Sequence, residues 1–372
     1  MKLGRPSKKL ALSVFAGVVT LVLVGVGLFQ AVGASDGPTP REKNWSAPRD
    51  IAVKSDEMQV ELEESIPERQ LLELEDGSEY VANELMLRFD GEMDERALAE
   101  MLSEYGVELA SAELVSDSLP DNEVLVLARF KGNVDIFYVI DRLEEAGAVN
   151  RAEPNFVQYL ADDASSAEEA PSEEELTAEE EEPSADQDEL NWHSNDPYAW
   201  RLWEHGPVGV NAAWDVAWCG GSTITVAVID SGIDYDHPDF RDNLILNAAK
   251  NTYTGSVGAS AVDDVIGHGT HVSGTISAMA DNNAGVAGIS YNAKVLPIKV
   301  TYGTDGKMYV SDVIEAIDYI VELKTNPDSS AYLKDIRVIN LSLGGYNYSS
   351  AYQDAVKRAQ NAGILVVAAG GN

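Results

Sequence analysis

Four short runs in the second half of the chain are almost wholly apolar: TITVAVID (223–230), AKVLPIKV (293–300), RVINLSL (337–343) and GILVVAA (363–369). Strands that lack the alternation of polar and apolar positions belong in a sheet covered on both faces. Helical patterns lie between them: GTHVSGTISAMA, VSDVIEAIDYIVEL and SAYQDAVKRAQNAG. In the second of these, Val310, Ile314, Ile317 and Val321 form one stripe. Strand-helix alternation of this kind predicts an α/β unit, a doubly wound parallel sheet with helices on both sides, over residues 191–372. In such sheets, sites gather at the carboxyl ends of the strands.

The pattern before residue 160 is different. YVANELMLRF reads as a strand, and DERALAEMLSEYG as a helix with Leu98, Met101 and Leu102 on one face and Gly106 as its stop. VELASAELV and EVLVLARF read as strands separated by a turn at Leu119-Pro120-Asp121-Asn122. VDIFYVIDRLEEAG is a second helix, and AVNRAEPNFVQYL a closing strand. The order β-α-β-β-α-β over residues 80–160 is the split βαβ, or ferredoxin-like, arrangement, a small α+β domain.

Charge adds two further segments. The chain has 26 basic and 63 acidic residues among 372, a formal net charge of −37. Residues 161–190 alone hold fourteen carboxylates and no base, a run too polar to bury a core, and are expected to be a disordered acidic linker. So acidic a chain lacks the basic stripe that nucleic acid requires. At the start, Lys2, Arg5, Lys8 and Lys9 precede an uncharged stretch from Leu10 to Ser35. Residues 1–34 read as a signal peptide or a retained membrane anchor, the only expected membrane contact, and residues 35–79 as a polar spacer. Either way the remainder is expected outside the cytoplasm. The single cysteine, Cys219, excludes an intrachain disulfide and reads as a small buried residue.

Candidate chemistry sits where the sheet pattern places it. Asp230 ends the strand TITVAVID and is followed by Ser231-Gly232. His268 lies in GHGTHVSG, between two glycines and at the start of a helical pattern. The positive end of a helix dipole favours neutral imidazole, the form a general base needs. Taken singly, Asp230 could merely open a turn, and His268 or His271 could be a buried structural histidine. A zinc site is not expected, because the H-E-x-x-H signature is absent. A dinucleotide loop is excluded by the glycine spacing.

Together, VAVIDSGIDYDHPDF and GHGTHVSGTISA resemble the aspartate and histidine motifs of the subtilisin family of serine endopeptidases. VINLSLGG resembles the family's substrate-binding strand and VVAAGGN the segment ending in its oxyanion-hole asparagine, with Gly370-Gly371 before Asn372 where the family usually reads A-A-G-N. The aspartate-then-histidine order is also the order of that family. The resemblance implies that Asp230 orients the imidazole, His268 is general base and acid, and Asn372 donates its amide to the oxyanion. Ser342, Leu343 and Gly344 would bond an extended polypeptide substrate. No cofactor would be needed for the chemistry, and Asp239, with the loop DNNAGVAG, matches a structural calcium position. Residues 80–160 would be a propeptide, acting as intramolecular inhibitor, and the acidic linker the place where maturation separates the parts.

The family's nucleophile pattern, G-T-S-M-A-x-P, occurs nowhere among the 372 residues. The sequence is therefore expected to lack the last part of a secreted subtilisin-like catalytic domain and to be inactive alone. Two other readings stay open: a non-catalytic peptide-binding pseudo-protease, and a protease inhibitor working through residues 80–160.

Overall fold

A computed structural model describes residues 69–92, 94–119, 122–132, 134–161, 194–202, 204–217 and 224–370. The expected signal or anchor, most of the spacer, nearly all of the acidic linker, Cys219 and Asn372 lie outside the described residues.

The first unit comprises β1 (Leu71–Glu73), β2 (Glu79–Asp90), α1 (Glu95–Glu104), β3 (Leu109–Ser116), β4 (Glu123–Phe130), α2 (Ile136–Glu145) and β5 (Arg151–Leu160). Its strands are antiparallel in the order β5-β2-β4-β3, with β1 also on β2. β1 falls within the stretch read from sequence as spacer: three residues carry too little pattern to register as a strand. Helix α1 starts at Asp94, whose carboxylate accepts the amides of Arg96 (3.0 Å) and Ala97 (3.2 Å), satisfying donors the helix itself leaves open. Leu98 and Leu102 bury one face of it.

The second unit comprises α3 (Val210–Val216), β6 (Thr225–Asp230), β7 (Lys250–Asn251), α4 (His268–Ser277), β8 (Lys294–Lys299), β9 (Lys307–Tyr309), α5 (Val310–Thr325), β10 (Ile336–Leu341), β11 (Leu343–Gly344), α6 (Ser350–Asn361) and β12 (Leu365–Ala368), with some shorter turns between. A parallel sheet runs β12-β10-β6-β8-β7. Because side chains alternate across a strand, β6 serves two cores. Ala227 and Ile229 share a cluster with Val313, Ile314 and Ile317 of α5. Val226 and Val228 pack with Ile276 and Val272 of α4 on the other face. The sheet is thus wound on both sides. Among the described residues no helix is long and apolar enough to cross a membrane.

One strand read as continuous is divided. RVINLSL gives β10 up to Leu341, and then Leu343–Gly344 leaves the parallel sheet for the other one. The cause is β5, whose last residues enter between β9 and β11: Val157, Gln158 and Tyr159 pair with Tyr309, Met308 and Lys307, while Leu160 and Tyr159 pair with Leu343 and Gly344. Neither β9 nor β11 has a periodic apolar run of its own, so only this long-range partner makes them strands.

The two units also meet at helix starts. The Glu153 carboxylate accepts the amides of Ser350 and Ala351, each at 3.1 Å, and touches the Ser350 hydroxyl. The Asn155 Oδ1 accepts the Ser311 amide at 3.2 Å. Arg88 reaches Asp354 of α6 at 2.7 Å.

Candidate active site

Asp230 is the last residue of β6, its backbone held by β8 and its side chain 1% exposed. His268 is the first residue of α4, with Gly267 in a left-handed conformation (φ 93°) before it. The imidazole Nδ1 and the Asp230 Oδ1 are 2.7 Å apart. The same oxygen accepts the Ser231 amide at 2.6 Å. Burial pushes the Asp230 carboxyl up, while the His268 ring and the Ser231 amide pull it down. A carboxylate so placed fixes the tautomer with hydrogen on Nδ1 and leaves Nε2 as the basic nitrogen.

Close backbone approach makes this contact possible. A Cβ at Gly232 (φ +122°) would meet the Val262 carbonyl oxygen at 2.4 Å. One at Gly269 would meet the Gly232 carbonyl oxygen at 2.3 Å. Glycines on both sides of the pair therefore let α4 settle directly on the end of β6.

A peptide groove adjoins the pair. Since Leu341 pairs with Ile229 in parallel register, the next residues, Ser342 and Asp230, lie level at the same rim. Ser342 offers its carbonyl to the Ala161 amide at 2.9 Å, and the Leu160 amide reaches the Gly306 carbonyl at 3.2 Å. The extended segment Val157–Ala161 is thus held from both sides and carried to the rim at Ala161.

Among the described residues, Asp239 belongs to a different cluster. Asp239, 2% exposed, faces the loop after α4: its Oδ1 accepts from Asn282 Nδ2 (3.1 Å) and its Oδ2 from the Val286 amide (2.9 Å). A Cβ on Gly285 would lie 1.8 Å from that Oδ2, so the loop folds its backbone onto the carboxylate. Asp196 accepts the amides of Asp281, Asn282 and Asn283 in the same loop at 2.9–3.1 Å. Carboxylates are, in kind, the hard donors calcium takes, and these two are engaged by N–H groups of one loop. Of the other histidines, burial pushes His205 down to about 4, so it stays neutral.

Sequence patterning missed Asp264. Its carboxylate receives Ser231 Oγ (2.8 Å), the amides of Ile266 (3.1 Å), Gly267 (2.9 Å) and Thr270 (2.8 Å), and Thr270 Oγ1 (2.6 Å). The only signal was an acidic residue shortly before a glycine-flanked helix start, which also describes an ordinary loop.

A sequence model of the subtilase family (peptidase S8) matches residues 221–372. The chain is 30% identical over 301 residues to the thermophilic serine proteinase of Bacillus sp. (strain AK1), covering 79% of this chain and 59% of that protein. It is 40% identical over 154 residues to the major intracellular serine protease of Bacillus subtilis (strain 168), covering 41% of this chain and 44% of that protein. In structure it is similar to fervidolysin from Fervidobacterium pennivorans, described as a keratinolytic enzyme related to subtilisin. That match has a TM-score of 0.56 and 22% identity, covering 83% of this chain and 43% of that one, and at this identity it speaks for the fold. The chain therefore spans about half the length of these relatives. Residues 221–372, which bring the aspartate and histidine motifs to one rim of a doubly wound sheet, match the subtilase family.

Proposed function

We propose that the protein is a serine endopeptidase of the subtilisin type, acting on polypeptides bound in extended form. The observation that carries this reading is the 2.7 Å contact of Asp230 with His268 beside a groove that holds a strand by its backbone. In the proposed reaction His268 Nε2 takes the proton of a serine hydroxyl as that oxygen attacks the scissile carbonyl. Asp230 stabilises the resulting imidazolium, and the proton then passes to the leaving amine. Asn372 donates its side-chain amide to the oxyanion, and Ser342 to Gly344 align the substrate backbone. These side chains suffice for the chemistry without a cofactor. A calcium ion at Asp239 would serve stability alone.

The 372 residues contain no serine in the family's nucleophile pattern, so turnover belongs to a polypeptide that includes one. The 372-residue chain by itself is expected to show no hydrolysis sensitive to phenylmethylsulfonyl fluoride. In the serine-bearing protein, D230N should lower kcat by about 10⁴-fold, the scale at which such an aspartate acts in triads. Unchanged hydrolysis in both D230N and H268A would sink the reading.

The first unit, in the same reading, is an intramolecular inhibitor. Support comes from β5, which lies between β9 and β11 as an extended substrate would and reaches Ser342 through the Ala161 amide. Export rests on residues 1–34 and not on kinship, since one relative is named as an intracellular protease.

A further inference from the structure

We propose that Asp264 is a positioning residue that fixes the imidazole of His268 against Asp230; this rests on the reading of the two as a catalytic pair. The observation is a closed circuit of hydrogen bonds. Asp264 accepts the amide of Gly267, the residue before His268, at 2.9 Å. It also accepts Ser231 Oγ at 2.8 Å, and Ser231 Oγ in turn accepts the amide of Gly269, the residue after His268, at 2.8 Å. Ser231 follows Asp230 in the chain and gives its amide to the Asp230 carboxylate. Both flanks of the histidine are thereby tied to one carboxylate, and that carboxylate is tied to the loop of its partner.

Only an ionised acid fits this position. Five donors converge on Asp264, and a carboxylate accepts at roughly four lone-pair sites without offering any proton. Asparagine would turn an NH₂ group toward some of the same donors. The first turn of α4 adds the positive end of its dipole, which favours an anion there. Burial by itself would raise the Asp264 carboxyl, but the hydrogen bonds from Thr270, Gly267 and Ser231 outweigh it and hold it below the usual carboxylate range. Asp264 therefore stays charged. Its charge also acts on Asp230, for which it is a raising influence. Among the charged groups near this rim, Lys299 at the end of β8 is bonded to the Asp263 carbonyl at 2.6 Å, and Asp234 gives its amide to Thr270 Oγ1.

Two consequences separate positioning from a purely structural loop role. Removing the negative charge should make the imidazolium less favourable, and loosening the tether should degrade the Asp230–His268 hydrogen bond. The test is a proton-NMR pH titration of His268 in the full 372-residue chain, assigned with H268A, comparing the parent with D264N and D230N. Folded D264N is expected to lower the His268 midpoint by roughly half a pH unit or more and to broaden the Nδ1 proton signal. An unchanged midpoint and an unchanged signal would overturn the proposal. If D264N does not fold, S231A removes the tether and keeps the charge. It should broaden the same signal, and a signal like the parent's overturns the proposal. The D230N arm tests the underlying pair separately: if D230N leaves His268 unaffected, the acid–imidazole reading has failed whatever Asp264 does.

Discussion

A side chain on Gly269 would put its Cβ 2.3 Å from the Gly232 carbonyl oxygen and 3.1 Å from the Asp230 Cβ. Both neighbours are rigid, one being backbone and the other the root of a buried side chain, so G269A must move α4 away from β6. Forced overpacking of this kind costs about 1–3 kcal/mol. Thermal unfolding of G269A should accordingly show a lower Tm, and an unaltered Tm would mean the close approach does not persist in solution. Asp230 and His268 stood out in the sequence only through the two motifs together and their resemblance to a family, whereas Gly232 and Gly269 are glycines because close backbone approach admits no Cβ there. Asp264 did not stand out, because three of its five donors are backbone amides, which every residue but proline carries, and the other two are common hydroxyls.

Helix α6 illustrates how an element can be completed from elsewhere in the chain. Its own cap, Ser349, accepts the Tyr352 amide at 3.1 Å, but the amides of Ser350 and Ala351 are taken by Glu153 of β5. Glu153 is 7% exposed, so losing it strands donors away from water. E153A should cost about 1–2 kcal/mol, the scale of a lost N-terminal cap, measured by urea unfolding of the full chain. A midpoint like the parent's would rule out the cap as a contributor. The four apolar strands and the amphipathic helices were legible because burial on two faces, or on one stripe, dictates composition. The short strands β9 and β11 were not, since their pairing depends on the end of β5 and not on their own residues.

Over the whole molecule, the packing of the first unit on α5 encloses an acid. Asp312 is 7% exposed and faces Arg69 ahead of β1, Glu84 of β2, Glu113 of β3 and Glu315 of its own helix. Burial, aided by the three glutamates and opposed by Arg69, pushes its carboxyl up to about 8. A raised carboxyl holds a proton in the packed state that the unpacked state releases at a lower pH. Its contribution is thus fully present below about pH 4 and lost as pH rises to about 8, at up to about tenfold in the packing equilibrium per pH unit. The D312N chain should lack this dependence. Its Tm should exceed the parent's by a margin that grows from pH 5 to pH 8 and then levels off. A margin independent of pH would refute the assignment.

The sequence by itself pointed to the doubly wound sheet, because burial periodicity is a local property of the chain, and it singled out the aspartate and histidine through motifs that resemble a family's. It did not settle the register in which the end of β5 pairs with β9 and β11, or that Asp264 would hold the histidine from both sides. The first joins distant segments through backbone hydrogen bonds, which any residue can make; the second needs Ser231 and Asp264 brought together across 33 positions, which no local pattern announces.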